Sequence, residues 1–315
     1  MLCLARTTSN KIDICEALLR RALLENQDRQ LLEDLLWRSL RGLEGEQRAD
    51  RFWEDLQLKV PHLLFHNFET VRHDRFYHQM DTVFVCEGFV LIVELKHIAG
   101  EIRYDTSSNQ LVRLYNGQSL ALGDPFSQVM RHETWMQQFL WEIGVELPVI
   151  TAIVVTTSSS ILGQMPERYH IFKLEGLRIK LQDWFARFPR KVNHTMLHVL
   201  HEEMMKCYKP QKWQHPFPNV KLRNGALCEC GLRMEYKFGT FYCRCGNKSR
   251  EALLQGLHDY RLLIDEWITN KQFREFFGME SVYMASKKLN RLNLESKGQT
   301  KSRQYLIPKD IWRQY

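Results

Sequence analysis

Residues 89–97 read FVLIVELKH, a continuous apolar run that ends in Glu94-Leu95-Lys96. Such a run predicts a strand that is buried on both faces of a sheet. Because successive side chains of a strand alternate between its faces, Glu94 and Lys96 are expected on the same face. Burying a carboxylate and an ammonium group there is costly unless the two form a pair or bind a metal.

The preceding predicted strand, residues 76–86, supplies a second carboxylate at Asp81. A tight turn at Glu87-Gly88 would pair residues whose numbers sum to 175, which places Asp81 opposite Glu94. Two like charges that face each other across a ladder destabilise it unless a positive group lies between them. A divalent cation meets this need, so the hairpin predicts a metal site.

The hydrophobic pattern around the hairpin predicts elements in the order α, β, β, β, α, β. The predicted helices before the first strand cover 12–25, 30–41 and 46–58, and the last of these is the α that opens the order. The strands that follow cover 63–72, 76–86 and 89–97, the next helix covers 124–142, and the last strand covers 148–156. The second helix is expected to break at Gly42 to Gly45. The order predicts an α/β fold with a three-layer core and a mixed sheet.

Composition and cysteine distribution exclude several classes of protein. No apolar run reaches the roughly 18 residues needed to span a membrane, and the opening residues MLCLAR lack the apolar core of a signal peptide. Four of the eight cysteines cluster within residues 228–245, which is typical of a metal site in a reducing compartment and not of a disulfide framework. We therefore expect a cytoplasmic protein.

The net charge of +7 is concentrated at one end of the chain. Residues 281–315 contain eight Lys or Arg against two acidic residues. A local excess of this kind indicates contact with a polyanion.

The core resembles the PD-(D/E)XK nuclease superfamily, and specifically its nuclease-related domain (NERD) family. Five blocks within residues 41–156 carry the resemblance: Gly45-Glu46, Gln79-Met80-Asp81, Glu94-Leu95-Lys96-His97, Asn109-Gln110-Leu111-Val112-Arg113, and Asp124-Pro125 with Gln128. The resemblance implies a restriction-endonuclease-like core that hydrolyses phosphodiester bonds of DNA with the help of a metal ion.

Hydrolysis of a phosphodiester needs a nucleophilic water and a stabilised anionic transition state, and Mg²⁺ or Mn²⁺ held by oxygen ligands serves both needs. Asp81 and Glu94 are the candidate ligands, and Lys96 is the candidate to position or deprotonate the water or to stabilise the developing charge. The resemblance implies that Glu46 completes or orients the metal shell and that Gln128 holds the nucleophile or the phosphate.

Three alternatives stay open. Asp81 and Lys96 could form a buried structural ion pair beside a protonated Glu94. The whole protein could also be a non-catalytic DNA-binding regulator or scaffold on an inactive nuclease fold, or a protein-interaction module.

A second constellation consists of Cys228-Glu229-Cys230-Gly231 and Cys243-Arg244-Cys245-Gly246. Four thiolates suit a tetrahedral Zn²⁺ and leave no open position, so a structural role is expected. The segment between the two pairs alternates like a hairpin, and the whole resembles a zinc ribbon. The usual ribbon has Cys-x-x-Cys, whereas both pairs here are Cys-x-Cys.

The C-terminal pattern of helix, turn at Gly278, helix and basic hairpin resembles a winged helix-turn-helix. The candidate contacts to DNA are Lys287, Lys288 and Arg291 on its second helix and Lys301 and Arg303 on its wing. The domains predicted from the sequence are a helical region (1–40), the nuclease-related domain (41–210), a linker (211–224), the zinc ribbon (225–248) and the winged-helix-like module (249–315). DNA is the expected partner, without a membrane or a small-molecule cofactor, and a homo-oligomer is compatible with the sequence.

Overall fold

The computed structural model describes residues 2–6, 10–72, 76–108 and 110–311. Asn109 and the side chain of Lys301, which the sequence singled out, lie outside the described part. The chain divides into two compact units, one of Met1–Thr8 and Leu40–Gln211, the other of Ser9–Ser39 and Lys212–Tyr315.

The elements follow one another with short connections. Up to residue 211 they are β1 (Leu2–Leu4), α1 (Asn10–Arg21), α2 (Asn26–Asp55), β2 (His62–Arg72), β3 (Phe76–Cys86), β4 (Val90–Lys96), β5 (Glu101–Asp105), β6 (Gln110–Tyr115), β7 (Gln118–Ala121), α3 (Pro125–Glu142), β8 (Val149–Val155), β9 (Ile161–Leu162), β10 (His170–Lys173), a 3-10 turn (Leu174–Gly176), α4 (Leu177–Arg187) and α5 (His194–Cys207). Beyond residue 211 they are β11 (Glu235–Lys237), β12 (Thr240–Tyr242), β13 (Lys248–Ser249), α6 (Ala252–Leu263), β14 (Trp267–Thr269), α7 (Asn270–Phe277), α8 (Val282–Arg291), β15 (Ser296–Lys297), a 3-10 turn (Thr300–Ser302) and β16 (Gln304–Leu306).

The first unit is built on a six-stranded mixed sheet with the order β1-β2-β3-β4-β8-β10. Apolar residues of α3 and α5 bury one face of this sheet, and those of α4 and of the C-terminal half of α2 bury the other. A second, four-stranded sheet has the order β7-β6-β5-β9. The predicted mixed α/β fold is confirmed, with helices on both faces of the main sheet.

The β3–β4 hairpin has the predicted register. The paired residues, from Val85↔Val90 to Thr82↔Val93, have numbers that sum to 175. The central strand β4 is almost completely buried, because β3 and β8 flank it and helices cover its two faces.

The predicted helix break at Gly42 to Gly45 is wrong, since α2 is one helix over Asn26–Asp55. Gly45 is explained by packing instead. A Cβ atom at this position would lie 2.5 Å from His97 Cβ and 2.6 Å from Thr156 Oγ1, distances at which atoms clash. The glycine lets the helix backbone approach the ends of β4 and β8.

In the second unit, α1 and α6 share an apolar cluster and an ion pair. Asp259 is fully buried and lies 2.7 Å from Arg21 Nε and 2.8 Å from Arg20 Nη2. Arg21 also donates to the carbonyls of Arg223 and Gly225. Removing one member of such a pair leaves a buried charge without compensation, so the pair holds α1 to α6 in one arrangement.

The cysteine segment forms the three-stranded sheet β11-β12-β13, and β14-β16-β15 form another beside α6, α7 and α8. Thr269 and Gln272 make the capping box that begins α7, and Gly278 ends it with a φ of 66°. The element order agrees with the predicted helix, turn, helix and hairpin. The assignment to the winged-helix class stays a prediction.

Candidate active site

Asp81 lies within β3 at the point where the β2–β3 ladder is interrupted. The pairs His66↔Thr82 and Phe68↔Met80 continue on either side, whereas Asn67 and Asp81 are not paired. Asn67 has a φ of 54°, a left-handed conformation that asparagine tolerates better than most residues.

The carboxylate of Asp81 is then free to reach β4. Its Oδ2 accepts a hydrogen bond of 2.8 Å from the backbone amide of Leu95. This bond fixes Asp81 beside the Glu94-Leu95-Lys96 segment. The β3–β4 ladder itself ends at Thr82↔Val93, so Asp81 and Glu94 are not a ladder pair.

Glu94 is held from both sides. Lys96 Nζ lies 2.7 Å from its Oε1, and Gln128 Nε2 on α3 donates to its Oε2 at 2.9 Å. The side chain is only 4% exposed. Burial and the negative charge of Asp81 raise the pKa of Glu94 to about 8, although Lys96 and Gln128 act in the opposite direction.

Asp81 has the same electrostatic character. Burial raises its pKa, against the opposing effects of the Leu95 amide, Lys96 and Arg6. Two carboxyl groups with raised pKa values therefore sit at the end of one buried strand pair. A cation placed between them would favour the charged form of both.

Glu46 approaches the same place from α2. Burial and the charge of Asp81 raise the pKa of Glu46 to about 7, and Arg6 lowers it. Glu46 Oε2 lies 3.0 Å from Arg6 Nη1, so this carboxylate forms an ion pair with an arginine.

Arg6 is a site residue that the sequence did not reveal. Its guanidinium reaches Asp50 at 2.8 and 3.0 Å and donates to the backbone carbonyl of Asp81 at 3.0 Å. Only 6% of the side chain is exposed. No local motif marks Arg6, because its partners are 40 to 75 positions away in the chain.

Asp50 was missed for the same reason. It lies one turn after Glu46 on α2, and its Oδ1 is 3.0 Å from His66 Nδ1. Burial alone would raise the pKa of Asp50, but the contacts with His66 and Arg6 hold it below the ordinary value. Asp50 is therefore held in its charged form by Arg6 and His66, whereas the pKa values of Glu46, Asp81 and Glu94 are raised.

Charge and donor type at the site fit a divalent cation. Four carboxyl groups (Glu46, Asp50, Asp81, Glu94) lie beside two basic side chains (Arg6, Lys96), a formal surplus of two acidic groups. Carboxylate oxygens are the ligands that Mg²⁺ and Mn²⁺ prefer. Asp81 and Glu94 are the pair that would hold the ion, because Arg6 already occupies the other two.

The four cysteines converge as the sequence predicted. Among the described residues they are the only set of three or more His, Cys, Asp or Glu whose ligand atoms lie within 4.8 Å of one another. Sγ separations of 3.6 Å (Cys228 to Cys245) and 3.5 Å (Cys230 to Cys243) are close to the edge of about 3.8 Å in a tetrahedron with Zn–S bonds of about 2.3 Å. The cluster is compatible with structural zinc.

Glycines allow the short Cys-x-Cys pairs to act as knuckles. The amide of Gly231 donates to the carbonyl of Cys228 at 2.8 Å, and that of Gly246 to Cys243 at 3.0 Å. Both glycines have positive φ, 81° and 96°, which other residues adopt only with strain. The amide of Cys230 lowers the pKa of Cys228 to about 7, which favours the thiolate that zinc binds, whereas burial and the neighbouring thiols raise the pKa of Cys243.

The C-terminal cations predicted to contact DNA have different surroundings. Lys287, Arg291 and Arg303 are exposed. Lys288 is half-buried: its Nζ lies 3.2 Å from the carbonyl oxygen of Gly239, and burial lowers its pKa. Lys288 therefore contacts the ribbon hairpin as well as facing solvent.

Comparison with known proteins gives one match. Residues 41–156 match the family model described as the nuclease-related domain, NERD. No curated protein and no solved structure matches the chain. Within the described residues, no helix has the length and apolar character needed to cross a membrane. The match supports a nuclease-related function and, with it, a nucleic acid as substrate.

Proposed function

We propose that the protein is a metal-dependent nuclease that hydrolyses phosphodiester bonds of DNA. One observation carries the proposal: Asp81, Glu94, Lys96 and Gln128 meet at the end of a buried strand pair, within the segment that matches the nuclease-related domain. A buried cluster with raised carboxyl pKa values is costly for folding, and such clusters are found where function requires them.

Asp81 and Glu94 are the residues that would hold Mg²⁺ or Mn²⁺. When bound, the ion would polarise the phosphodiester and lower the pKa of the attacking water. Gln128 holds Glu94 in place through its 2.9 Å hydrogen bond. Lys96, whose side chain is 28% exposed, is the group that can reach solvent to position the water or to stabilise charge on the phosphate.

Arg6 and Asp50 have a positioning role in this scheme. The positive charge of Arg6 offsets the repulsion between the carboxylates of Glu46 and Asp81. Arg6 also donates to the backbone carbonyl of Asp81 and so fixes the backbone at that position. Glu46 would orient the metal shell through its charge.

The remaining parts of the chain would hold the substrate. We propose that residues 225–248 are a zinc ribbon and that residues 249–315 are a DNA-binding module. In this module Lys287, Lys288 and Arg291 would contact DNA from a helix in the major groove, and Lys301 and Arg303 would contact backbone phosphates. Phosphate contacts of this kind make affinity depend steeply on salt.

A cleavage assay tests the proposal. Purified full-length protein is incubated with supercoiled plasmid and with labelled linear DNA in Mg²⁺ or Mn²⁺. We expect cleavage that falls by roughly two or more orders of magnitude in Asp81→Asn, Glu94→Gln and Lys96→Met. Glu133→Gln, a change on α3 outside the cluster, serves as the matched control and should cleave normally. Equal cleavage by the Asp81→Asn variant and the control would refute the assignment.

The competing function is a non-catalytic DNA-binding regulator or scaffold. One observation favours it: Lys96 is paired with a candidate metal ligand at 2.7 Å, an arrangement that a structural ion pair would also show. This function predicts salt-dependent DNA binding without cleavage in any divalent metal by wild-type protein.

A further inference from the structure

The tip of the ribbon hairpin carries an aromatic side chain that is almost completely exposed. Phe238 stands between β11 and β12, and 97% of it is exposed. Its φ is 48°, a left-handed conformation that is costly for a bulky residue and in which hairpins favour asparagine or glycine. A position that is both strained and apolar in water is a candidate for contact with a ligand.

The tip is fixed to α8. Lys288 Nζ on α8 lies 3.2 Å from the carbonyl oxygen of Gly239 and 5.0 Å from the centre of the Tyr236 ring. Tyr236 in turn packs against buried Phe241, with ring centres 5.2 Å apart. The exposed phenylalanine is therefore presented by a packed hairpin that is joined to a helix.

Positive charge predominates around Lys288, and the acidic residue of the hairpin, Glu235, is paired with Lys237 at 2.6 Å. Arg250 and Arg291 both repel Lys288, and Arg291 also acts on Tyr236. Among the described residues, none of Arg250, Lys287 and Arg291 forms a salt bridge. Like charges held together in this way are balanced when an anionic partner binds.

From these contacts we infer that Phe238, together with Lys287, Lys288 and Arg291, forms a surface that binds single-stranded nucleic acid. We call it the tip-helix surface. The ring of Phe238 stacks on an unpaired base, and the cations contact the neighbouring phosphates. Base stacking on exposed aromatic rings beside cationic side chains is the chemistry by which single strands are bound without sequence preference. A paired duplex offers no free base face to Phe238 except at its ends.

The inference extends the proposed function by assigning the ribbon a direct part in substrate binding, and it rests on that function only for the class of substrate. Its test is a binding measurement in buffer without added divalent cations, with zinc-loaded full-length protein. Fluorescence anisotropy is recorded with labelled 20-nucleotide oligothymidylate, with oligouridylate of the same length, and with a blunt duplex.

For Phe238→Ala we expect single-strand affinity to fall by about 5- to 150-fold, the usual cost of losing one stacked base. Phe238→Trp should retain affinity, because tryptophan also stacks. Trp141→Ala, which removes another exposed aromatic residue, should bind normally. Duplex affinity should change by no more than about two-fold in Phe238→Ala.

A separate readout tests the cations. In Lys287→Gln and Arg291→Gln, the slope of log affinity against log salt concentration should fall by about 0.7 each for single strands. Unchanged slopes in both variants would count against their part in the surface.

Three results would overturn the inference: wild-type protein that binds neither single strand, Phe238→Ala that binds both strands normally, or equal losses on single strand and duplex. A loss on either single strand supports it, and the larger loss identifies DNA or RNA as the better ligand. Because this assay measures binding and the cleavage assay measures turnover, the failure of one proposal leaves the other standing.

Discussion

Replacing Glu94 by Gln should stabilise the folded protein while it abolishes the proposed cleavage. Glu94 is buried, its pKa is raised to about 8 by burial and by Asp81, and the unfolded chain has an ordinary glutamate. The folded state therefore holds a proton that the unfolded state has already released between about pH 4.5 and pH 8. Stability is lost as pH rises through this interval.

The size of the effect follows from the difference between the two pKa values. At 1.36 kcal/mol for each pH unit between the unfolded pKa and the working pH, retaining the proton on Glu94 in the folded state lowers stability by on the order of 3 kcal/mol at pH 7, relative to a side chain that does not ionise. A glutamine keeps the shape and does not ionise. Its oxygen can accept from Lys96, and its NH2 group can donate to the oxygen of Gln128 once that amide turns over. Glu94→Gln should thus equal wild type near pH 4, and its advantage should grow until about pH 8.

The assay is urea unfolding followed by circular dichroism at several pH values without divalent cations. Glu87→Gln is the matched control, since Glu87 is a buried carboxylate at the opposite end of the same hairpin and lies 3.2 Å from Arg190. Glu87→Gln removes a charge that is paired with Arg190, so it should not raise the free energy of unfolding. Added Mg²⁺ should stabilise wild type by mass action and have little effect on Glu94→Gln.

A lower stability of Glu94→Gln than wild type at pH 7 to 8 would refute the reasoning. That result would mean that the Lys96–Glu94 pair is a net stabilising ion pair, with Glu94 in the place that the structural alternative gave to Asp81. It would also remove the argument that the carboxylate cluster is retained for its chemistry at a cost to folding.

Three further changes test the packing of α2 against the sheet, the buried ion pair of α1 and α6, and the cysteine cluster. Gly45→Ala should cost about 1–3 kcal/mol of unfolding free energy in thermal or urea melts, because its Cβ would lie 2.5 Å from His97 Cβ; a neutral result would mean that α2 can shift away from the sheet. Asp259→Asn should cost about 3–5 kcal/mol, since Arg21 would stay buried without its counter-charge, and a loss under 1 kcal/mol would contradict this. Cys228→Ser should reduce bound zinc, measured by plasma emission spectrometry, from one ion per chain to a small fraction, whereas Cys207→Ser outside the cluster should retain it.

Local sequence patterns predicted several features of the candidate site. The alternation of β4 and the numbers of the turn predicted the β3–β4 register, which the structure has, and the Asp124-Pro125 start of α3 is confirmed. These features depend on residues close together in the chain, where strand geometry and capping leave few choices.

The sequence did not predict contacts between segments that are distant in the chain. Arg6 joins Glu46 and Asp50 from 40 or more positions away, and nothing near Arg6 requires an acidic partner. The break expected at Gly45 failed because glycine has two uses, as a helix breaker and as a site of close approach, and only the facing His97 distinguishes them.

The helices α4 and α5 determine what can be prepared in the laboratory. The matched segment, residues 41–156, ends before both of them and begins after Arg6. A fragment with those limits would expose the sheet faces that these helices cover. It would lose the contacts made by the buried side chains of the two helices, which include Leu177, Leu181, Trp184, Leu197 and Leu200. At roughly 1.5–3 kcal/mol for each such side chain, the loss of about 8–15 kcal/mol equals the whole stability of an ordinary domain. Expression of the matched segment by itself should give aggregated protein, and its inactivity would say nothing about the chemistry of Asp81 and Glu94.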